Sequence, residues 1–287
     1  MDIFSFDFFR RSLLAALLAG PTCALLGVIT TSRGQAFFSD SLAHSTIAGY
    51  GLGLLIQLLL SQLLGISFSS VFISSFMFFY CLGVSLLFIL FLNKTRLESD
   101  TLLSLIFTGS VALGILILTK MIRYPFLESL LFGDINACSW TDVLLLGLVS
   151  LSAFFFLFKN MPGLLLLMID ENMAVAEGVQ VKKLNYQTVI LIGGIIALSL
   201  KLLGAILVSA MIVIPAATAK LLAWNFRSLL FLSLLYGLLG AVGGVLLSYY
   251  IDAMTGPTIG GFEILLLLFS FFIKKFFKKK DSKKQLD

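Results

Sequence analysis

The sequence predicts an all-α fold: a polytopic integral membrane helical bundle of about eight to nine transmembrane helices. Three observations predict it. Of 287 residues, 59% are hydrophobic and only 12% are charged, about half the charged share of a soluble domain. The mean hydropathy is +1.07. The apolar residues also gather in long runs, many near the ~20 residues that carry a helix across hydrocarbon. So little polar surface cannot cover this much apolar material in water. The composition therefore excludes a disordered chain, a nucleic-acid module and an ordinary soluble enzyme.

In chain order the runs are 12–31, 42–64, 70–92, 101–119, 142–158, 187–200, 202–222, 228–250 and 258–273. Each is too continuously apolar for a half-buried strand, and a lipid-exposed backbone must satisfy its own hydrogen bonds, so each reads as a helix. The first run follows Arg10 and Arg11 and ends without an evident small-x-small cleavage pattern, so it reads as a span, not a removed signal. Two places are marginal. The stretch 187–222 is nearly one apolar block, broken only by Lys201 and Pro215, and Pro215 is expected to break the helix locally and free backbone carbonyls. The run 258–273 carries Glu263, which either lines a cavity or snorkels to the outer surface.

The net charge of +5 arises in the tail, where seven lysines and two aspartates lie from Lys274 onward. The chain thus divides into a transmembrane domain, 1–273, and a basic tail, 274–287, that faces anionic lipid. With nine spans and an inside C-terminus, 15 of the 20 Lys and Arg fall on inside segments. That bias satisfies the positive-inside rule and puts the C-terminus in the cytoplasm. Cys23, Cys81 and Cys138 are scattered with no CxxC pair, which suggests neither a disulfide framework nor a thiolate metal site.

The longest polar interruption, 159–186, lies inside by the charge bias. Within it Asp170 to Gly178 has early acids, small residues in the middle and a closing glycine. This suits a short helix begun by Asp170 and stopped by Gly178. Such a helix either docks a soluble partner or is a plain surface feature.

His44 is the one histidine of the chain. If a helix begins at Ser39, Asp40 and His44 stand at i and i+4 on one face. A carboxylate beside an imidazole can bind Mn²⁺, Fe²⁺ or Zn²⁺, and ionisable groups inside apolar runs usually face a protein interior or cavity. The pattern equally allows Asp40 as a helix cap and His44 as a structural side chain. Further on, Ala205, Ser209, Ile212 and Ala216 share a helical face, which serves close packing or leaves width for a pathway. No GxxxxGK[ST], no HExxH and no serine-hydrolase elbow occurs. ATP use would need another chain, and a protease is not indicated.

Four stretches together carry a family resemblance. They are Arg33 to His44, reading RGQAFFSDSLAH; Leu131 to Ile135, reading LFGDI, with Ser139 and Trp140; Lys201 to Ala219, with GA at 204–205 and IPAATA at 214–219; and Asp252 with Thr255 to Thr258. In this order they resemble the permeases of the bacterial zinc/manganese/iron ABC importers, the ABC-3 family that includes ZnuB-, MntB- and TroC/TroD-type proteins. The resemblance covers nearly the whole chain.

It implies a larger-bundle (type II) importer architecture in the bacterial cytoplasmic (inner) membrane. Two permeases, identical or sister, would form the pathway, with cytoplasmic ABC ATPase subunits and an extracytoplasmic metal-binding protein as partners. It implies no nucleic acid and no resident cofactor, the divalent metal being cargo, and no enzyme activity on this chain. Asp40 and His44 would be the metal position. Asp170, Glu171, Ala174 and Gly178 would form the ATPase-coupling helix. Gly204, Ala205, Ser209 and Pro215 would line or gate the pathway, and Glu263 stands as a further intramembrane acid. The single histidine leans the cargo toward manganese or iron. The rival reading is a proton-coupled secondary metal transporter without an ATPase.

Overall fold

The computed structural model describes residues 7–65, 70–121, 131, 133, 135 and 138–284. Among them the helices are α1 (Asp7–Ser32), α2 (Phe37–Leu64), α3 (Ser70–Lys94), α4 (Ser99–Met121), α5 (Trp140–Ile169), α6 (Glu171–Ala176), α7 (Val181–Leu203), α8 (Ala205–Leu222), α9 (Phe226–Ile251) and α10 (Thr255–Lys284). All but α6 are long and apolar enough to cross a membrane, which makes nine candidate spans among the described residues.

Both marginal runs are therefore full helices. The block 187–222 divides at Gly204, whose φ of +78° is a left-handed conformation that glycine adopts without a Cβ clash. It does not divide at Lys201 or at Pro215. Pro215 lies inside α8, where its missing N–H leaves only the Met211 carbonyl without its usual partner, and the helix runs through. The supposed loop 159–186 is also mostly helix. Lys159, being exposed, costs α5 nothing, and the leucines beyond it bury Leu164 completely. In the tail, α10 stays helical across the 273/274 boundary to Lys284.

The chain forms two compact units. One comprises 1–32, 135–150 and 210–287, and the other 33–134 and 151–209. In the first, α1 packs on α9 and α9 on α10. The α1–α9 contact is close because both helices are glycine there: a Cβ on Gly237 would stand 2.6 Å from the Gly20 carbonyl oxygen. Without a hydrophobic drive between helices in lipid, such backbone approach supplies the packing. Ser233 adds a hydrogen bond to the Ala24 carbonyl at 2.9 Å. In the second unit, α2 packs on α4 and α3, and α3 on α7. Ser41 of α2 donates to the Leu103 carbonyl of α4 at 2.8 Å, which fixes the first turns of α2 against α4.

Candidate functional site

The turn Arg33–Ala36 leads into α2, and the Phe38 N–H donates to the Gln35 carbonyl at 3.0 Å. The helix starts at Phe37 with Ala36 as its cap residue. Asp40 is thus inside the first turn and does not cap the helix.

One turn on, His44 Nδ1 lies 3.3 Å from Asp40 Oδ1 and 3.0 Å from the Asp40 backbone oxygen. With its proton on Nδ1, the imidazole donates back to its own helix. A cation shared by the two residues needs the other tautomer, with the Nδ1 lone pair turned toward the Asp40 carboxylate. Both side chains are partly open, at 21% for His44 and 34% for Asp40. Their surroundings are otherwise buried: Ser39, Ser41 and Ser45 are wholly enclosed. Phe107 of α4 meets the His44 ring edge-on at 5.3 Å and the Phe37 ring at 5.6 Å, so an aromatic wall stands beside the pair.

Ser209, from the first turns of α8, donates its hydroxyl to the Ala205 carbonyl at 3.0 Å and stands near the Asp40 carboxylate. The remaining members of the small-residue stripe do something different. Ala205, Ile212 and Ala216 are buried, and Ile212 and Ala216 lie against Gly27 of α1; Gly204 and Pro215, off that face, are buried as well. For Ile212 and Ala216 that contact is close helix packing, one of the two uses open to the stripe. The stripe's spacing placed its residues on one face, but spacing carries no information about which of them stands near Asp40.

The short helix 171–176 forms where the residues asked for it. Asp170 Oδ1 accepts the Met173 N–H at 2.9 Å, satisfying one orphan donor of the first turn. Glu171 is exposed, Ala174 is buried, and Gly178 turns the chain at φ +78°. The Val179 N–H closes the end on the Ala174 carbonyl at 3.0 Å, a Schellman-type stop. The helix thus presents its acids outward and anchors on one alanine.

Glu263 does not snorkel. It is 1% exposed, and neither carboxyl oxygen has a hydrogen-bond partner. Of the LFGD element, Phe132 and Asp134 lie outside the described residues, whereas Gly133 is at φ +62° against Leu203 and Gly204.

One partner could not be read from the sequence. Arg33 Nη2 donates to Asn185 Oδ1 at 2.6 Å across 152 residues. Burial pulls the guanidinium below its ordinary value, and Glu171 pushes it back up. Arg33 was visible in the quoted segment, but Asn185 carries no local signal.

Comparison with known proteins bears on what this arrangement serves. A family model described as "ABC 3 transport family" matches residues 5–274. The chain is 29% identical to the "Probable iron transport system membrane protein" of Haemophilus influenzae, over 95% of this chain and 94% of that one. It is 28% identical to the "High-affinity zinc uptake system membrane protein ZnuB" of the same organism, over 93% and 98%. Among solved structures, a chain of "PsaBC from Streptococcus pneumoniae in complex with Fab" superposes with a TM-score of 0.76 at 26% identity, over 97% of both chains.

Proposed function

Because this chain belongs to the ABC 3 transport family, we propose that it is the membrane-spanning permease subunit of an ATP-driven importer of divalent transition-metal ions, Mn²⁺, Fe²⁺ or Zn²⁺. It is a transport subunit and not itself an enzyme. The observation that carries the metal pathway is the Asp40–His44 pair, one turn apart at 3.3 Å and partly open within apolar helices. No group of three or more His, Cys, Asp or Glu that could hold a metal occurs among the described residues. One chain therefore offers two of the four or more ligands that these cations take.

A second permease, identical or sister, facing the first would bring the set to four. Two donors per chain also suit transit, since a site must bind well enough to replace hydration and loosely enough to release. The similar proteins are named for iron in one case and zinc in another, so likeness does not choose the cargo. The donor set of one carboxylate and one imidazole per chain favours manganese or iron, which accept oxygen ligands readily.

ATP hydrolysis belongs to separate cytoplasmic ABC ATPase chains, which dock on α6, and an extracytoplasmic binding protein delivers the metal. The excess of Lys and Arg on one set of loops supports an inner-membrane orientation with the C-terminus in the cytoplasm. When the ATPases close on ATP they pull α6, the paired permeases rock, and the pathway turns from outside-facing to inside-facing.

The test is uptake into proteoliposomes holding the permease, its ATPase and its binding protein, with radioactive Mn²⁺, Fe²⁺ and Zn²⁺ in turn. ATP-dependent uptake of one metal, lost in Asp40→Ala and in His44→Ala with the complex still assembled, is the expected result. Uptake that survives both substitutions moves the metal path elsewhere. Uptake driven by a proton gradient without ATP replaces the reading with a secondary transporter.

A further inference from the structure

Arg33 joins three parts of the chain that the sequence keeps far apart. It sits in the turn before α2, seven positions ahead of Asp40. Its guanidinium donates to Asn185 Oδ1 at 2.6 Å, and Asn185, itself 6% exposed, lies in the opening turns of α7. The short helix α6 packs directly on α7, and its Glu171, in the first turn, is near enough to favour the charged guanidinium. Arginine suits this place: its fork offers five donors, so one N–H can hold the amide while the charge answers the carboxylate, and it stays protonated when buried.

The connection onward to the metal pair is stiff. Phe38 N–H closes on the Gln35 carbonyl at 3.0 Å, Gln35 and Phe38 are buried, and Ser41 holds the Leu103 carbonyl at 2.8 Å. A shift of Arg33 therefore moves the first turn of α2 as a unit. On the other side, α6 reaches α7 through only Glu177 to Gln180, so a displacement of α6 arrives at Asn185 over a short path. We propose that Arg33 is a positioning residue that ties the ATPase-docking helix α6 to the Asp40–His44 turn of α2, so that the state of the ATPase is read at the metal pair. This rests on the permease reading above and adds to it the physical link between its two ends.

A mere fold strut would cost stability when cut. A coupling strut costs metal moved per ATP. The two are separated by measuring both quantities on the same proteoliposomes, with the intact complex of permease, ATPase and binding protein and with Mn²⁺, Fe²⁺ and Zn²⁺ as the probe ions. In Arg33→Ala the ratio of metal transported to ATP hydrolysed is expected to fall by about tenfold, within the range of measured site–site couplings, while hydrolysis continues. Asn185→Ala is expected to act in the same direction. Arg33→Lys, which keeps the charge and loses the fork, is expected to fall between. An unchanged ratio in Arg33→Ala overturns the proposal. If Arg33→Ala does not assemble, Asn185→Ala and Arg33→Lys decide by the same ratio. Failure of all three to assemble also overturns it, because Arg33 then serves the fold alone. A wild-type complex with no ATP-driven uptake of any of the three ions defeats the permease reading itself, and this inference falls with it.

Discussion

Gly240 of α9 leaves the space that Glu263 of α10 fills: a Cβ at position 240 would stand 2.6 Å from Glu263 Cγ and 2.9 Å from its Oε1. The glycine and the acid are one packing unit. Gly240→Ala should destabilise the protein by about 1–3 kcal/mol, as overpacking does. Adding Glu263→Ala should restore part of that loss, because the new methyl then has room. Thermal unfolding of the purified protein in detergent, run on both single variants and the double, measures the coupling. Additive effects would show that the two positions do not share the space.

Glu263→Gln separates shape from charge. A carboxylate buried in hydrocarbon with no partner is costly, and the amide keeps the volume. The variant is expected to be at least as stable as the wild type by the same melt, with Glu263→Ala less stable than Glu263→Gln because it leaves a cavity. A large loss in Glu263→Gln would mean that the carboxyl makes an interaction that the amide cannot replace.

The fold was largely legible because lipid imposes so few solutions. Composition and run length marked nine apolar runs and left eight to nine spans open, and periodicity put Asp40 and His44 on one face. The cap at Asp170 and the stop at Gly178 were readable because capping chemistry is local. What escaped was long-range or needed a backbone angle. Arg33 and Asn185 are 152 residues apart, and no spacing rule joins them. Proline was expected to break α8, yet the break falls at Gly204, because a membrane helix tolerates one unsatisfied carbonyl more easily than a non-glycine residue tolerates a left-handed φ. The loop assigned to 159–186 failed for a related reason: one exposed lysine ends an apolar run without ending a helix.

Ser209 offers a chemical test of the metal pair. Its hydroxyl donates to the Ala205 carbonyl but stands near the Asp40 carboxylate, to which it can turn when a cation binds, and a hydrogen bond to a charged group contributes about 1.5–3 kcal/mol. Ser209→Ala should therefore weaken metal uptake by about tenfold at subsaturating metal, the lower end of that range, with the maximal rate less affected. Ala205→Ser on the same stripe adds a hydroxyl where burial is complete and should cost stability instead of affinity. Concentration dependence of uptake distinguishes the two, and an unchanged apparent affinity in Ser209→Ala would remove Ser209 from the site.

Gly133 explains physically why a glycine stands in the LFGD element. At φ +62° any side chain is strained, and a Cβ there would lie 2.8 Å from the Leu203 carbonyl oxygen. Backbone cannot swing aside as a side chain can. Gly133→Ala should cost about 2 kcal/mol or more and lower the yield of folded protein in the membrane. Gly109→Ala is the control, since its Cβ would meet nothing within 4 Å inside α4; it should be neutral or mildly stabilising. Equal yields of the two variants would overturn the assignment.

The short helix α6 owes its form to its two ends, since six residues are too few to be helical on propensity alone. Asp170→Ala removes the acceptor that holds the Met173 N–H at 2.9 Å, which should cost about 1 kcal/mol of local helix stability. Asp170→Asn keeps an acceptor at the cap and should lose only a fraction of that. The proposed docking on an ATPase turns this local loss into a measurable one, because the surface must then be ordered at the moment of binding. Titration of the ATPase onto the permease in nanodiscs should show Asp170→Ala binding about fivefold more weakly, the equivalent of that 1 kcal/mol, and Asp170→Asn close to wild type. A wild-type affinity in Asp170→Ala would mean either that α6 forms without its cap or that the ATPase docks elsewhere. Amide hydrogen exchange at Met173 and Ala174 tells these apart: faster exchange with intact binding points to docking elsewhere.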